Sequence, residues 1–228
     1  MLETIRRHAL VVFLLVMAMA SLSDLLGLRA DFLARAKQLW GSTADDRLVA
    51  WQNLTQSLQG KPEIEQVRLV NAFMDKIPYI SDQDHWHQED YWATPFEFLG
   101  SNGGDCEDFA LAKYFTLRTL GIPDARLRMT YVEALSINQP HMVLAYYPTP
   151  GSDPLVLDSL ISRILPASER TDLLPIYSFN AQGLWISGTD DTSPVNNGHG
   201  LDKWQDVLLR MRGQPGSYYQ GFPATPQH

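Results

Sequence analysis

The first third of the chain repeats its apolar residues every three or four positions, which is the spacing that lines one face of an α-helix. Glycines interrupt this repeat at Gly41 and Gly60, and Pro78 ends it. The next stretch, residues 79–92, is polar and aromatic without a clear period, and we interpret it as a structured loop. The repeat itself predicts three amphipathic helices, at residues 31–40, 45–58 and 63–77.

Two further helices are predicted from the residues that begin and end them. At the first, Thr94 can act as the N-cap, Pro95 fits the first helical position, and Glu97 is placed to complete a capping box. Residues 100–104 (GSNGG) then form a turn into a long helix at residues 105–120. Gly121 and Pro123 mark the end of that helix.

After Pro123 the pattern changes from the helical period to alternation of apolar and polar residues, which is typical of β-strands. A run of helices followed by a run of strands indicates an α+β fold. We expect a signal sequence at residues 1–20 and one domain over residues 21–228, with a helical lobe at about 25–122 and an antiparallel β lobe at about 123–212. The predicted strands are residues 125–135, 141–147, 155–157 and 184–187, and a last helix is predicted at 201–211.

The composition excludes several classes of protein. Of 228 residues, 45% are hydrophobic and 19% are charged, which supplies enough apolar material for a core and argues against a disordered chain. The formal net charge of −8 argues against nucleic acid as a partner, because binding to phosphates requires clustered Lys and Arg. The composition therefore indicates an acidic globular protein.

The N-terminal residues differ in pattern from the rest of the chain. Arg6 and Arg7 precede an unbroken apolar run at residues 9–20, which ends in Ala18-Met19-Ala20. Positive charge, an apolar run and small residues at this spacing are the features of a secretory signal peptide. The run is shorter than the roughly 20 residues that span a bilayer. We therefore predict export and cleavage after Ala20; an uncleaved signal anchor and a buried N-terminal helix are the alternatives.

The only cysteine, Cys106, begins the long predicted helix in the sequence GGDCED at residues 103–108. A helix N-terminus has free backbone N–H groups and the positive end of the helix dipole, and both favour an anion. A thiol in this position has a lowered pKa and is more often a thiolate at neutral pH. Its placement predicts a nucleophile, and the alternative is a buried, inert thiol.

A nucleophilic cysteine needs a base, and the base needs a group that orients it. His141 begins one predicted strand, and Asp158 follows the next. In a hairpin these strands would lie side by side, so the imidazole could sit between the sulfur and the carboxylate. A structural histidine at a strand end and a turn carboxylate are the other interpretations of these two residues.

Acidic residues surround the predicted nucleophile. Negative charge at Asp105, Glu107 and Asp108 would raise the pKa of the thiol. Acids in a first helical turn also complement the helix dipole, which requires no site at all. A bound cation would cancel their charge, and calcium, which takes six to eight oxygen ligands, suits carboxylates and loop carbonyls. Asp82 and Asp84 in the preceding loop are candidate further ligands.

Three stretches of the sequence resemble those of the bacterial transglutaminase-like cysteine proteinases: WATPFEFLGSNGGDCEDFALAKYFTLRTLG, HMVLAYY and LVLDSL. The resemblance covers about residues 51–185. It implies a papain-like fold, with the nucleophile helix packed on the β-sheet lobe, and a catalytic triad of Cys106, His141 and Asp158. It also implies that calcium is the cofactor and that Asp105 and Glu107 bind it.

The same resemblance implies a substrate, a partner and a compartment. The expected reaction is proteolysis in the periplasm, at a di-alanine site in the N-terminal region of a large surface adhesin, which releases cells from a biofilm. The expected partner is an inner-membrane cyclic-di-GMP receptor that sequesters the protease. Two alternatives stay open on the residues alone: a transglutaminase-like acyltransferase that uses the same triad, and a non-catalytic peptide-binding module organised by calcium.

Overall fold

The computed structural model describes residues 30–187 and 202–212, and the predicted signal peptide at residues 1–20 lies outside these segments. None of the helices in the two segments is both long enough and apolar enough to span a membrane. The helices are α1 (Ala30–Trp40), α2 (Ala44–Leu58), α3 (Glu63–Met74), α4 (Asp82–His85), α5 (Pro95–Ser101), α6 (Cys106–Thr119) and α7 (Asp202–Arg212). The strands are β1 (Leu127–Ala134), β2 (Gln139–Tyr146), β3 (Leu155–Leu157), β4 (Leu165–Pro166), β5 (Leu173–Asn180) and β6 (Gly183–Ile186).

The helices lie close to their predicted positions. At the start of α5 the Thr94 side chain accepts a hydrogen bond from the Glu97 amide, and the Glu97 side chain accepts one from the Thr94 amide, so the predicted capping box is present. The third helix ends at Met74 instead of Ile77, because a tighter turn closes it there. The predicted loop at residues 79–92 contains the short helix α4, whose N-cap is Ser81.

All six strands belong to one sheet with the order β4-β3-β2-β1-β5-β6, and every neighbouring pair is antiparallel. β2 pairs with β3, so the strand that carries His141 lies beside the strand that Asp158 follows. The predicted α+β fold class is confirmed. The division of residues 21–228 into two lobes of one domain stays a prediction.

Two strands were not predicted from the sequence, and β5 is the longer of them. Its pairing register with β1 shifts between Tyr131 and Val132, and Pro175 pairs at that irregularity. A shift in register breaks the regular alternation that identifies a strand, and a proline argues against a strand interior. The sequence LLPIYSFN therefore lacks the usual signal although it pairs on both sides.

Helix α6 lies at the centre of the molecule. It packs across β2 and β1, while α3 and α5 pack against it from the helical side. Every residue from Glu107 to Leu117 is buried. On α7, Trp204 stacks on Phe115 of α6 with 5.5 Å between the ring centroids. A helix that is surrounded in this way holds its first residue, Cys106, in a fixed position.

Candidate active site

The turn before α6 is packed so closely that two of its positions require glycine. A Cβ atom on Gly104 would overlap the side chain of Asp108, and one on Gly103 would overlap that of Ile80. The Ile80 amide also donates a hydrogen bond to the Gly104 carbonyl (2.9 Å), which ties the segment before α4 to this turn. These contacts fix the backbone that leads into Cys106.

The Cys106 thiol lies between an acidic side chain and the start of β2. Its S–H donates a hydrogen bond to Glu107 Oε2 at 3.0 Å. Burial raises the pKa of the thiol well above its ordinary value, and the charge and hydrogen bond of Glu107 raise it further. The backbone amide of Met142, the residue after His141, acts in the opposite direction and lowers this pKa. The thiol therefore keeps its proton unless the negative charge beside it is offset.

His141 and Asp158 form a buried pair. His141 Nε2 lies 2.7 Å from Asp158 Oδ1, and both side chains are at most 3% exposed. Because a carboxylate can only accept, Nε2 carries the proton and donates it to Asp158. Nδ1 is then the ring nitrogen left to interact with a thiol. The predicted hairpin has brought the imidazole and the carboxylate together.

Every acceptor of Asp158 has a donor. Oδ1 also accepts the Leu160 amide (2.9 Å), Oδ2 accepts Arg170 Nη2 (2.7 Å), and the backbone carbonyl accepts Lys113 Nζ (3.1 Å). Burial alone would raise the pKa of Asp158, but the hydrogen bonds from His141, Leu160 and Arg170 lower it to about 2. Asp158 is thus a fixed anion under the imidazole.

Five carboxylates next to Cys106 form what we call the acidic cluster: Asp82, Asp90, Asp105, Glu107 and Asp108. Single oxygens of Asp82, Asp105 and Asp108 lie within 4.8 Å of one another, and so do those of Asp82, Asp90 and Glu107. Burial raises the pKa of Asp82 to about 6 and that of Asp105 to about 8, with nearby negative charge adding to both shifts. The acidic cluster therefore holds several carboxylates in a buried environment that disfavours their ionised forms.

The acidic cluster has the chemistry of a calcium site. Asp82 Oδ1, Asp105 Oδ1 and Asp108 Oδ2 are buried without a hydrogen-bond partner in the structure. Buried carboxylate oxygens without donors are costly, and hard cations such as calcium bind oxygen ligands of this kind. The donor set of this chain therefore fits a calcium ion.

The structure brings together most, but not all, of the residues that the sequence predicted as metal ligands. Asp105 and Glu107 lie in the acidic cluster, and so does Asp82, which is buried. Asp84 does not, because it is exposed and its carboxylate accepts a hydrogen bond from Ser81 Oγ (2.7 Å). Asp90 was not predicted as a ligand, and Asp108 was noted only as an acidic neighbour of the thiol.

Sequence reasoning also missed the two cations that contact Asp158. Arg170 lies in a segment without a recognisable pattern, so nothing in the sequence distinguished it. Lys113 did leave a signal, because it is a single charge within the apolar run of α6. It is fully buried and pairs with Asp75 Oδ1 at 2.8 Å.

Comparisons with known proteins agree with this geometry. Residues 47–190 match the family described as bacterial transglutaminase-like cysteine proteinase. No curated protein matches the chain. The match to the family model confirms the predicted family resemblance and the transglutaminase-like α+β fold.

Solved structures of LapG from Legionella pneumophila are also similar to this chain. An EGTA-treated form is 45% identical, covers 81% of this chain and 98% of that chain, and aligns with a TM-score of 0.71. A calcium-bound form is 44% identical, covers 81% and 99%, and aligns with a TM-score of 0.69. A third LapG structure is 45% identical, with coverage of 81% and 98% and a TM-score of 0.68.

Proposed function

The chain belongs to the bacterial transglutaminase-like cysteine proteinases, and we propose that it is a calcium-dependent endopeptidase with Cys106 as nucleophile, His141 as base and Asp158 as the group that orients the base. The observation that carries this proposal is the buried His141–Asp158 pair, 2.7 Å long, between a residue of β2 and the residue that follows the neighbouring strand β3. The Met142 amide, which follows His141 and lowers the pKa of the Cys106 thiol, supports the same assignment.

The proposed reaction uses the residues in turn. His141 accepts the thiol proton of Cys106 through Nδ1, and the sulfur attacks the peptide carbonyl. The negative charge of Asp158 stabilises the imidazolium that forms and keeps the ring in position. The backbone N–H of Cys106, at the start of a helix, would donate a hydrogen bond to the developing oxyanion. His141 then gives its proton to the leaving amine, and water hydrolyses the thioester.

Calcium would be held by the acidic cluster, with Asp105 and Glu107 as the ligands that flank the nucleophile. Its positive charge would weaken the hold of Glu107 on the thiol proton and so favour the thiolate. The unpartnered oxygens of Asp82, Asp105 and Asp108 support this cofactor, as does the calcium-bound LapG structure.

We propose that the substrate is a large surface adhesin, cut at a di-alanine site in its N-terminal region, and that cleavage promotes biofilm release. The family resemblance supports this substrate. The signal-peptide pattern at residues 1–20 supports action in the periplasm. The partner that fits this compartment is an inner-membrane cyclic-di-GMP receptor of the LapD type, which would sequester the protease.

The test is the intact mass of an adhesin N-terminal fragment after incubation with the protein, with calcium and with excess chelator. We expect two fragments whose masses sum to the substrate plus one water, and no cleavage in chelator. Cys106→Ala and the same fragment without its di-alanine site are the matched controls. Both should leave the mass unchanged.

Other outcomes of this test separate the remaining functions. A fragment that carries an added amine, when an amine donor is supplied, would identify an acyltransferase instead of a protease. An unchanged mass in every arm, together with alkylation of Cys106 no faster than that of an ordinary thiol, would favour a peptide-binding module. Faster alkylation with calcium than with chelator would keep the protease and reject only the chosen adhesin.

A further inference from the structure

Arg170 reaches the carboxylate of Asp158 from the side opposite to its hydrogen bond with His141. Its Nη2 donates to Asp158 Oδ2 at 2.7 Å, while Oδ1 of the same carboxylate is taken by His141. The Arg170 side chain is only 3% exposed and that of Asp158 is fully buried. The two oxygens of Asp158 are therefore held from different sides, Oδ1 by the proposed base and the Leu160 amide, and Oδ2 by Arg170.

We propose that Arg170 is a positioning residue for catalysis, which fixes the rotation of the Asp158 carboxylate and through it the orientation of His141. This inference rests on the proposed function, in which Asp158 orients the base. Without Arg170, Oδ2 would be a buried oxygen without a donor. The carboxylate would then be held only at Oδ1, by His141 and the Leu160 amide, and could pivot about that oxygen, so the hydrogen bond to Nε2 of His141 would lose its direction.

The charge of Arg170 is balanced on its other side. Asp172, which is partly exposed, accepts hydrogen bonds from Nε (2.9 Å) and from Nη2 (2.8 Å) of Arg170. Two aspartates and one arginine carry a net charge of −1. The guanidinium therefore holds Asp158 in place while a negative charge stays available to an imidazolium at His141.

The backbone that carries Arg170 is itself anchored. Arg170 follows a short turn at Ala167–Glu169, and its amide donates to the Ala167 carbonyl (3.0 Å). The Ala167 amide bonds to the Pro154 carbonyl (2.8 Å), and Ser168 bonds to Asp153 through both its amide and its hydroxyl. The turn is thus fastened to the segment just before β3, the strand that leads to Asp158.

The test compares Arg170→Met and Arg170→Lys with the control Arg163→Met, an exposed arginine in the neighbouring segment. Kinetic constants are measured for the calcium-loaded full chain. We expect kcat to fall about 100-fold in Arg170→Met with KM little changed, because the base is displaced while the substrate groove is not. Arg170→Lys, which keeps the charge and one donor, should recover part of the loss. Arg163→Met should match the wild type.

A second measurement does not depend on proteolysis. In the inactive Cys106→Ala background, the imidazole ¹⁵N spectrum, assigned with His141→Gln, should report a single Nε2–H tautomer for His141. Arg170→Met should convert this signal to a mixture of tautomers.

The outcomes separate the two proposals. A single tautomer and an unchanged kcat in Arg170→Met would overturn the positioning role. A change of tautomer in a protein that cleaves nothing would keep the role in orienting His141 and reject the protease assignment. If Arg170→Met fails to fold, a full kcat in Arg170→Lys with a mixed tautomer would contradict the proposal, and a reduced kcat with unchanged KM would support it.

Discussion

The buried carboxylates of the site have pKa values shifted in opposite directions, upward in the acidic cluster and downward at Asp158. In the acidic cluster, burial raises the pKa of Asp82 to about 6 and that of Asp105 to about 8. Asp158 is at least as buried, but its pKa falls to about 2, because His141, the Leu160 amide and Arg170 donate hydrogen bonds to it. The residue type is the same, and the donors around it differ.

The difference explains which part of the site needs an ion. Asp158 has a donor for each of its oxygens, so the chain alone keeps it charged and fixed. Three carboxylates of the acidic cluster each keep an oxygen without a partner. An exposed ion pair between Lys203 and Asp90 (2.8 Å) reaches the rim of the cluster but not those oxygens. The acidic cluster is complete only when a cation is supplied from outside.

The largest expected effect comes from removing a cation at the Asp158 side. Lys113→Met would leave the largely buried Asp75 carboxylate with only the Asn71 amide as donor and would remove the donor to the Asp158 carbonyl. Breaking a buried ion pair in this way costs about 3–5 kcal/mol. Urea unfolding measures this loss. The double variant Lys113→Met, Asp75→Leu should recover most of it, whereas a loss below 1 kcal/mol in the single variant would contradict our account of this pair.

Removing calcium from the acidic cluster should lower the free energy of unfolding of the protein by a slightly smaller amount. At a calcium concentration 100 times the Kd, binding adds about 2.7 kcal/mol to the free energy of unfolding. We expect the midpoint of thermal unfolding to fall by several degrees when chelator is added, as measured by calorimetry. The variant Asp105→Asn should have a much smaller response to calcium. Identical midpoints with calcium and with chelator would argue against a calcium site here.

An Asp→Asn substitution should change the free energy of unfolding by different amounts at Asp158 and in the acidic cluster, when both variants are measured in chelator. Asp158→Asn removes a carboxylate whose pKa is lowered from 3.8 to about 2, which corresponds to a loss of about 2 kcal/mol at neutral pH. Asp108→Asn removes a carboxylate whose pKa is raised by burial, and its Oδ1 can still accept the Ala93 amide. We expect Asp108→Asn to cost less than 0.5 kcal/mol or to stabilise the protein. Equal losses of stability in the two variants would contradict the opposite pKa shifts of Asp158 and Asp108.

The pH dependence of stability in chelator should follow the acidic cluster. Asp82 and Asp105 have folded pKa values above the unfolded value of 3.8, so the folded state binds more protons than the unfolded state. The free energy of unfolding should therefore fall by about 1–2 kcal/mol from pH 6.5 to pH 7.5. The stability due to Asp158 has the opposite sign, since it is present above pH 3.8 and is lost toward pH 2. Unfolding midpoints across this range, with and without calcium, measure the slope; a flat profile in chelator would contradict it.

Local signals in the sequence were sufficient for much of the fold. The capping box at Thr94 and Glu97 and the helix that begins at Cys106 were predicted from neighbouring residues, and both are present. β5 was missed because Pro175 and a shift in register hide its alternation. The sequence predicts an element well when the residues that define it are close together in the chain. It predicts an element poorly when that element depends on pairing with a distant strand.

The same limit applies to the site. His141 and Asp158 were candidates because one begins a predicted strand and the other follows the next strand along the chain, and the family resemblance implied the same pair. Arg170 and Asp90 were missed, because only the folded structure places them beside Asp158 and the acidic cluster. The direction of each pKa shift also depends on burial and on donors from distant segments, and neither can be derived from composition.

The groups of the proposed site lie on separate elements, so the site can assemble only as the whole chain folds. Cys106 lies on α6, His141 on β2, Asp158 after β3 and Arg170 before β5. A partly synthesised chain that ends before residue 170 contains a thiol but not the full set of groups that would direct its chemistry. Pairing of strands that are distant in the chain is among the slower steps of folding. In the proposed assignment, proteolytic activity therefore begins only after β5 has joined the sheet, late in folding.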